Sequence, residues 1–403
     1  MTARHGAREA VAVVFALNGL LVASFISRVP DVRSSLGLDN GALGLLLLAM
    51  AVGSLAALPL SGRLVSRFGG TAVVRAGAVV AAVGATAAGV GVQVWGSVVA
   101  VAVALLLLGA GIGAWDVAMN LEAAEVERRL RRSIMARFHA AFSLGTVGGA
   151  GLAVLVTAGD VGPALHLAVV SPLVLAVTWW SAARFLPARA SAGSASFNES
   201  GSGSAGSAWL EPRTLAIGVM VLAFAVTEGS ANDWLTVALI DGHDVEHWVG
   251  VAGYALFVTA MTVGRLVGPW ALDRWGRPRT LWATTALALV GLLLVVLGQG
   301  VVLVGVGVLL WGLGASLGFP VGMSAASDDP ARAEARVSVV ATIGYAAFLA
   351  GPPLLGWLGD AVGTLRALLA VAVLLVPAAV AVLAARPPRA ISEQDGPQVT
   401  ARG

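Results

Sequence analysis

The sequence predicts an all-α membrane protein in which about twelve helices cross a bilayer, and three observations carry that prediction. Of its 403 residues 58% are hydrophobic and only 12% charged, with a mean hydropathy of +0.88, whereas soluble domains carry roughly 25% charge. Apolar stretches of about 18 residues or more, long enough to cross ~30 Å of hydrocarbon, recur along nearly the whole chain. They are continuous runs of Ala, Val, Leu and Gly rather than the alternating segments of a barrel, so helices are the expected way to satisfy the backbone in lipid.

The arginines give each span its direction, because short cytoplasmic loops collect basic residues and exported loops do not. All 25 basic residues are arginines, since there is no lysine. Arg4 and Arg8 precede the first span, 10–27, whose apolar run is too long for a cleavable signal peptide. The second and third spans, 41–61 and 71–91, enclose Arg63 to Arg75; the fourth and fifth, 97–119 and 135–157, enclose Arg128 to Arg137. Arg184 to Arg213 separate the sixth, 163–186, from the seventh, 215–240. The eighth and ninth, 249–272 and 280–298, enclose Arg274 to Arg279, and the tenth and eleventh, 301–323 and 337–358, enclose Arg332 and Arg336. The twelfth, 363–385, runs into the arginines of the tail. With the N-terminus in the cytoplasm only Arg28, Arg33 and Arg366 fall outside, and Arg265 lies within a span. Shifting the count by one span strands the arginine clusters that follow. Both termini are therefore expected in the cytoplasm, in a multi-pass protein of the cytoplasmic membrane.

A Ser/Gly/Ala-rich stretch interrupts the hydrophobic pattern and reads as a flexible linker. The expected units are an N-terminal six-helix half (1–186), a cytoplasmic linker (187–212), a C-terminal six-helix half (213–385) and a disordered tail (386–403). The absence of cysteine excludes disulfides, thiolate catalysis and iron–sulfur clusters. Without lysine there is no Walker A loop, so ATP is not bound through that motif. The net charge of +3 lies at helix ends rather than on one basic face, so no nucleic-acid partner is expected. No cofactor or metal is expected either.

The halves echo each other. Gly62-Arg63-Leu64-Val65-Ser66-Arg67-Phe68-Gly69 parallels Gly264-Arg265-Leu266-Val267 followed by Asp273-Arg274-Trp275-Gly276-Arg277. These segments resemble the Gly-x-Leu-x-Asp-Arg-x-Gly-Arg loop signature of the major facilitator superfamily, in which the loop clasps neighbouring helix ends during alternating access. The first copy has Ser66 where the family has an aspartate, and the second is spaced one residue too long between Gly268 and Asp273. The resemblance therefore implies a weak charge relay in the first half and one supplied by Asp273 with Arg274 in the second. Trp115-Asp116-Val117-Ala118-Met119-Asn120, the segment from Phe138-His139 to Gly145, and the segment from Gly351-Pro352-Pro353 to Asp360 are similar to a bacterial subgroup that includes a rhizopine-type transport protein, distantly related to the fucose–proton symporter. Nearly the full chain takes part in the likeness.

Charged side chains at mid-bilayer cost about 2.5–3.5 kcal/mol on insertion scales, so intramembrane ionisable groups turn inward and are functional candidates. Charged and strongly polar side chains concentrate in the first helix of three of the four triplets: Asn18; Asp116 and Asn120; Glu228, Asn232 and Asp233. The tenth span offers only Trp311 and Ser316, while the third, ninth and twelfth are almost free of polar groups and the sixth has only His166, so these are expected to face lipid. The resemblance implies a central cavity lined by the first helix of each triplet. Asp116 with Asn120, and Glu228 with Asn232, are four apart and share a helix face, each offering a carboxylate beside an amide. Such pairs bind hydroxyls or amines, carry a proton, or serve only as interhelical bonds. His139 is a candidate for proton exchange with Asp116 or a packing residue. Arg265 either pairs with a carboxylate, binds an anion or snorkels. Arg28 and Asp31 form an external gate or cap the first helix. Tyr254 and Tyr345, the only tyrosines, either meet a sugar-like ring or belong to an interfacial belt.

The expected function is proton-coupled secondary transport of a small polar organic solute, sugar-, polyol- or amino-sugar-like, by alternating access, in a monomer surrounded by lipid. The alternatives are a drug or metabolite exporter of the same superfamily and, from another class, a non-transporting membrane receptor or sensor. An enzyme is not expected, because no catalytic constellation stands out.

Overall fold

The computed structural model describes residues 2–130, 134–186, 208–329 and 332–386. Among them, twelve helices are long and apolar enough to cross a membrane. They are α1 (Gly6–Leu36), α2 (Asn40–Phe68), α3 (Gly70–Trp95), α4 (Val98–Leu130), α5 (Met135–Ala158), α6 (Pro163–Ala182), α7 (Pro212–His243), α8 (His247–Trp275), α9 (Arg277–Leu297), α10 (Val301–Ala326), α11 (Ala333–Val362) and α12 (Thr364–Ala385). Each coincides with one predicted span. Most run further, because hydropathy marks only the part in hydrocarbon. The linker and tail expected at 187–212 and 386–403 lie outside the described residues except at 208–212 and Arg386.

Packing repeats between the halves. In the first, α1 packs on α5 and α6, α2 on α4, and α3 on α4 and α6; in the second, α7 packs on α11 and α12, α8 on α10, and α9 on α10 and α12. The halves meet where α2 lies along α11 and α5 along α8. Lipid supplies no hydrophobic drive between helices, so small residues that permit close backbone approach do the work. At matching crossings a Cβ on Gly77 would sit 2.9 Å from the Trp115 amide nitrogen, and one on Gly291 would sit 2.3 Å from that of Trp311. Both tryptophans are fully buried.

The turns repeat as well. A single residue joins α2 to α3, Gly69 at φ 83° and ψ 156°, and a single residue joins α8 to α9, Gly276 at φ 75° and ψ 163°. That region is essentially closed to side chains. The peripheral helices carry exposed aliphatic side chains, among them Val83, Leu173, Leu297 and Val376, as expected of lipid-facing surfaces. His166 is the exception on α6: it is buried against Arg28 rather than turned to lipid, because the guanidinium Nε donates to its Nδ1 at 3.0 Å.

Candidate functional site in the central cavity

A cavity of 290 Å³ lies between the halves. Leu47, Met50, Leu55 and Leu58 of α2 make one apolar wall, and Phe25, Ile26 and Val29 of α1 cover one end. Its polar groups come from Ser54 on α2, Asp116 on α4, Asn232 and Asp233 on α7, and Tyr345 on α11. Asp116 and Asp233 thus face one space from opposite halves.

Local backbone geometry explains the α7 pair. Residues Ala231–Leu235 form a π-helical turn inside α7. Asn232 and Asp233, consecutive in this turn, both line the cavity. The turn also breaks the expected pairing of Glu228 with Asn232. Glu228 turns instead to α8, where Arg265 Nη2 donates to both of its carboxylate oxygens at 3.0 Å, with side-chain exposures of 30% for Arg265 and 20% for Glu228. Among the described residues no hydrogen bond or ion pair engages the Asp233 side chain. On α4 the expected pairing holds: Asn120 Nδ2 donates to the Asp116 backbone oxygen at 2.9 Å and to its carboxylate at 3.3 Å.

Other predicted residues stand elsewhere. Asn18 is buried, away from the cavity lining, with its amide nitrogen unpartnered. The Tyr254 hydroxyl is likewise buried without a hydrogen-bond partner, with Glu228 and Asp233 as electrostatic neighbours. Tyr345 lines the cavity and stays 41% exposed, so it is no belt residue. His139 packs edge-on against Phe15, with ring centroids 5.4 Å apart, and among the described residues no hydrogen bond or ion pair joins it to Asp116. On α10, Trp311 donates to the Thr227 carbonyl oxygen at 3.1 Å and Ser316 to that of Leu313 at 2.7 Å, so neither lines the cavity.

We expect Arg265→Gln to strand Glu228 in a partly buried site at a cost of about 1–3 kcal/mol, visible as a lowered melting temperature. The exchanged pair Glu228→Arg with Arg265→Glu restores most of it. A full-stability single variant would show that the contact carries no energy.

The end of the bundle where α1 finishes is closed by contacts between halves. Arg33 of α1 pairs with Asp241 of α7, and Asp31 lies 3.4 Å from His247 at the start of α8. Asp360 of α11 accepts the Asn40 and Gly41 backbone N–H groups at 2.8 and 2.7 Å, capping α2 from the other half. Arg28 does not bridge the halves directly. It is buried within the first, donating to His166 and to the Val161 carbonyl oxygen at 2.8 Å, with Asp31 at 3.5 Å. Of the residues in these contacts, Arg33, Asp241, His247 and Asp360 were missed by sequence reasoning, although an arginine on the arginine-poor face is a signal that an acidic partner holds it.

At the arginine-rich face the second half is tied by Arg277 and Arg213, which donate to Asp328 at 2.6 and 2.8 Å. Asp273 and Arg274, the expected relay, are exposed and make no ion pair with each other. Among the described residues Arg63 makes no ion pair across this loop, and Arg67 stacks over Phe68 at 5.3 Å. Glu211, just before α7, accepts from Arg336 Nε at 2.7 Å and Thr214 at 2.9 Å, with Arg332 at 2.6 Å. Burial pushes its carboxyl up, but those hydrogen bonds and charges outweigh it and hold it below the usual range. A lowered folded value means stabilisation is present above the unfolded value and lost as pH falls through the folded one. The stability difference between wild type and Glu211→Gln, measured by thermal unfolding across pH, is therefore expected at neutral pH and to vanish in acid.

The family profile of the Major Facilitator Superfamily matches residues 11–347. An uncharacterised MFS-type transporter of Yersinia pestis is 31% identical over 352 residues, spanning 86% of this chain and 88% of its own. Membrane protein MosC of Rhizobium meliloti is 30% identical over 367 residues, spanning 89% and 85%. Among solved structures, a mutant of the nucleoside transporter NupG aligns with a TM-score of 0.77 at 13% identity, over 94% of this chain and 99% of that one. A variant of the E. coli fucose:proton symporter FucP aligns with a TM-score of 0.64 at 14% identity, over 94% and 98%. The solved structures share the fold and the curated relatives share the sequence along most of its length: this chain belongs to the Major Facilitator Superfamily and is a multi-pass membrane transporter of that family.

Proposed function

We propose that the protein is a secondary active transporter of a small polar organic solute carrying hydroxyl or amine groups, coupled to protons and working by alternating access in a bacterial cytoplasmic membrane. The observation that carries this reading is the pair of carboxylates, Asp116 and Asp233, facing one cavity from opposite halves. A solute bridging them is held by both bodies at once, so rocking of the halves moves it from one face to the other. Glu228 is occupied by Arg265, which leaves Asp233 and Asp116 as the groups to exchange a proton with water in the cavity. The arginine-rich face is taken as cytoplasmic, and the closed gate at the other end then makes this the inward-facing state. Chemistry on the solute forms no part of the reading, and the protein acts as a monomer.

The apolar wall of α2 favours a second reading, a drug or metabolite exporter, because a solute with an apolar body would rest on Leu47, Met50 and Leu55. Proteoliposomes under an imposed pH gradient, offered a sugar, polyol, amino-sugar and drug panel, separate the two. Proton-driven movement of polar solutes supports the first. Movement of apolar cations alone overturns it in favour of the exporter, and no movement of any solute overturns both.

A further inference from the structure

A second cavity, of 230 Å³, opens between the first turns of α1 and α5 on the arginine-rich face, well away from the solute cavity. Arg8, Glu9 and Ala12 line it from α1, and Ile134, Arg137 and Phe138 from the start of α5. Neither arginine is used by the fold: among the described residues no carboxylate pairs with Arg8 or Arg137, whereas nearby Arg129 is held by Glu125. Glu9 is exposed at the rim and bonds neither of them. The backbone N–H groups of Ile134 and Met135 do not serve as an anion cradle either, because the Glu127 carboxylate accepts both at 2.6 Å. What remains is two unpaired arginines lining one concave space, beside the buried side chains of Ile134 and Phe138.

Two unpaired guanidiniums beside buried apolar side chains suit an anion with several oxygens, and planar bidentate donation favours phosphate over halide. The position, at the ends of two membrane-crossing helices on the arginine-rich face, is where basic pockets meet acidic lipids. We propose that this cavity binds a phosphate ester, with Arg8 and Arg137 as its ligands. An anionic phospholipid headgroup and a water-soluble phosphate share that chemistry. Occupancy ties the start of α1 to the start of α5, so it stabilises the first half as a body without touching the solute site.

The full-length chain is reconstituted in nanodiscs of phosphatidylcholine with or without phosphatidylglycerol, and thermal unfolding is followed. In a second arm, phosphatidylcholine discs are titrated with inorganic phosphate or glycerol phosphate. The expected result is stabilisation in at least one arm, weakened in Arg8→Gln/Arg137→Gln by roughly 30-fold in apparent affinity, at about one kcal/mol per arginine. The charge-matched control Arg184→Gln/Arg279→Gln, on exposed arginines of the same face, keeps the response. A response only to phosphatidylglycerol assigns a lipid, and one only to soluble phosphate assigns a metabolite or free phosphate. No response in wild type, an undiminished response in the Arg8/Arg137 variant, or an equal loss in the control overturns the proposal. Arg137→Gln alone, at an exposed position, stands in where the double variant fails to fold.

Discussion

Asp233→Asn is expected to lose solute accumulation driven by a pH gradient while keeping solute exchange at equal concentrations on both sides. Asp233 is the carboxylate that the π-helical turn of α7 delivers to the cavity, and no described residue bonds or pairs with it. An asparagine fills the same space and hydrogen-bonds the same solute, but it cannot alternate between charged and neutral forms. With one proton per solute, each unit of pH gradient supports at most about a tenfold accumulation ratio, so under a gradient of about two units the ratio should fall from as much as roughly 100-fold toward one. Glu228→Gln tests the opposite assignment. Because Glu228 is held by Arg265 through both oxygens, its loss should act mainly on thermal stability. Undiminished pH-driven accumulation in Asp233→Asn would remove Asp233 from the coupling step and leave Asp116 as the candidate.

Gly44→Val is expected to stop turnover without unfolding the protein. A Cβ at Gly44 would lie 2.4 Å from the Pro352 carbonyl oxygen, a contact between α2 and α11 that rocking of the two halves apart would break. Overpacking a tight contact by a methyl costs about 1–3 kcal/mol and a valine adds more, so the closed state should lose at least about tenfold in population. Gly145→Val supplies the contrast: its Cβ would lie 1.8 Å from the Ala16 carbonyl oxygen, a contact between α5 and α1 inside one half. That contact persists through any rocking of the halves, so Gly145→Val should reduce folded yield instead. The chain lacks cysteine, so single cysteines placed along α2 report opening by thiol labelling against a silent background. Equal loss of folded protein in both variants would show that Gly44 belongs to a permanent interface, and the gate would have to be sought elsewhere.

Most of the fold was legible in sequence because its cause is local. Whether a stretch such as 215–240 lies in hydrocarbon depends on its own composition, and the arginine clusters orient each neighbouring pair of spans one loop at a time. The same logic found Asp116 with Asn120, since an i, i+4 pair on an unbroken helix needs no partner to define it. It failed at Glu228 with Asn232, where one extra residue in the turn changed the register that the pairing assumed. It missed Asp328, because which acid an arginine meets is decided by the neighbouring helix, and Asp328 of the α10–α11 connection took Arg277.

Sequence alone therefore determined that the chain lives in lipid, the number and places of its spans, and the small set of ionisable groups that lipid forbids from its surface. Only the tertiary structure decided which of those groups are engaged and which face open space: Arg265 took Glu228, Arg33 took Asp241, and Asp116 and Asp233 were left facing the cavity. The division follows from range. Transfer of a segment into hydrocarbon sums over its own residues, whereas an ion pair forms between groups as far apart as 208 positions in the chain and exists only once the helices carrying them have packed.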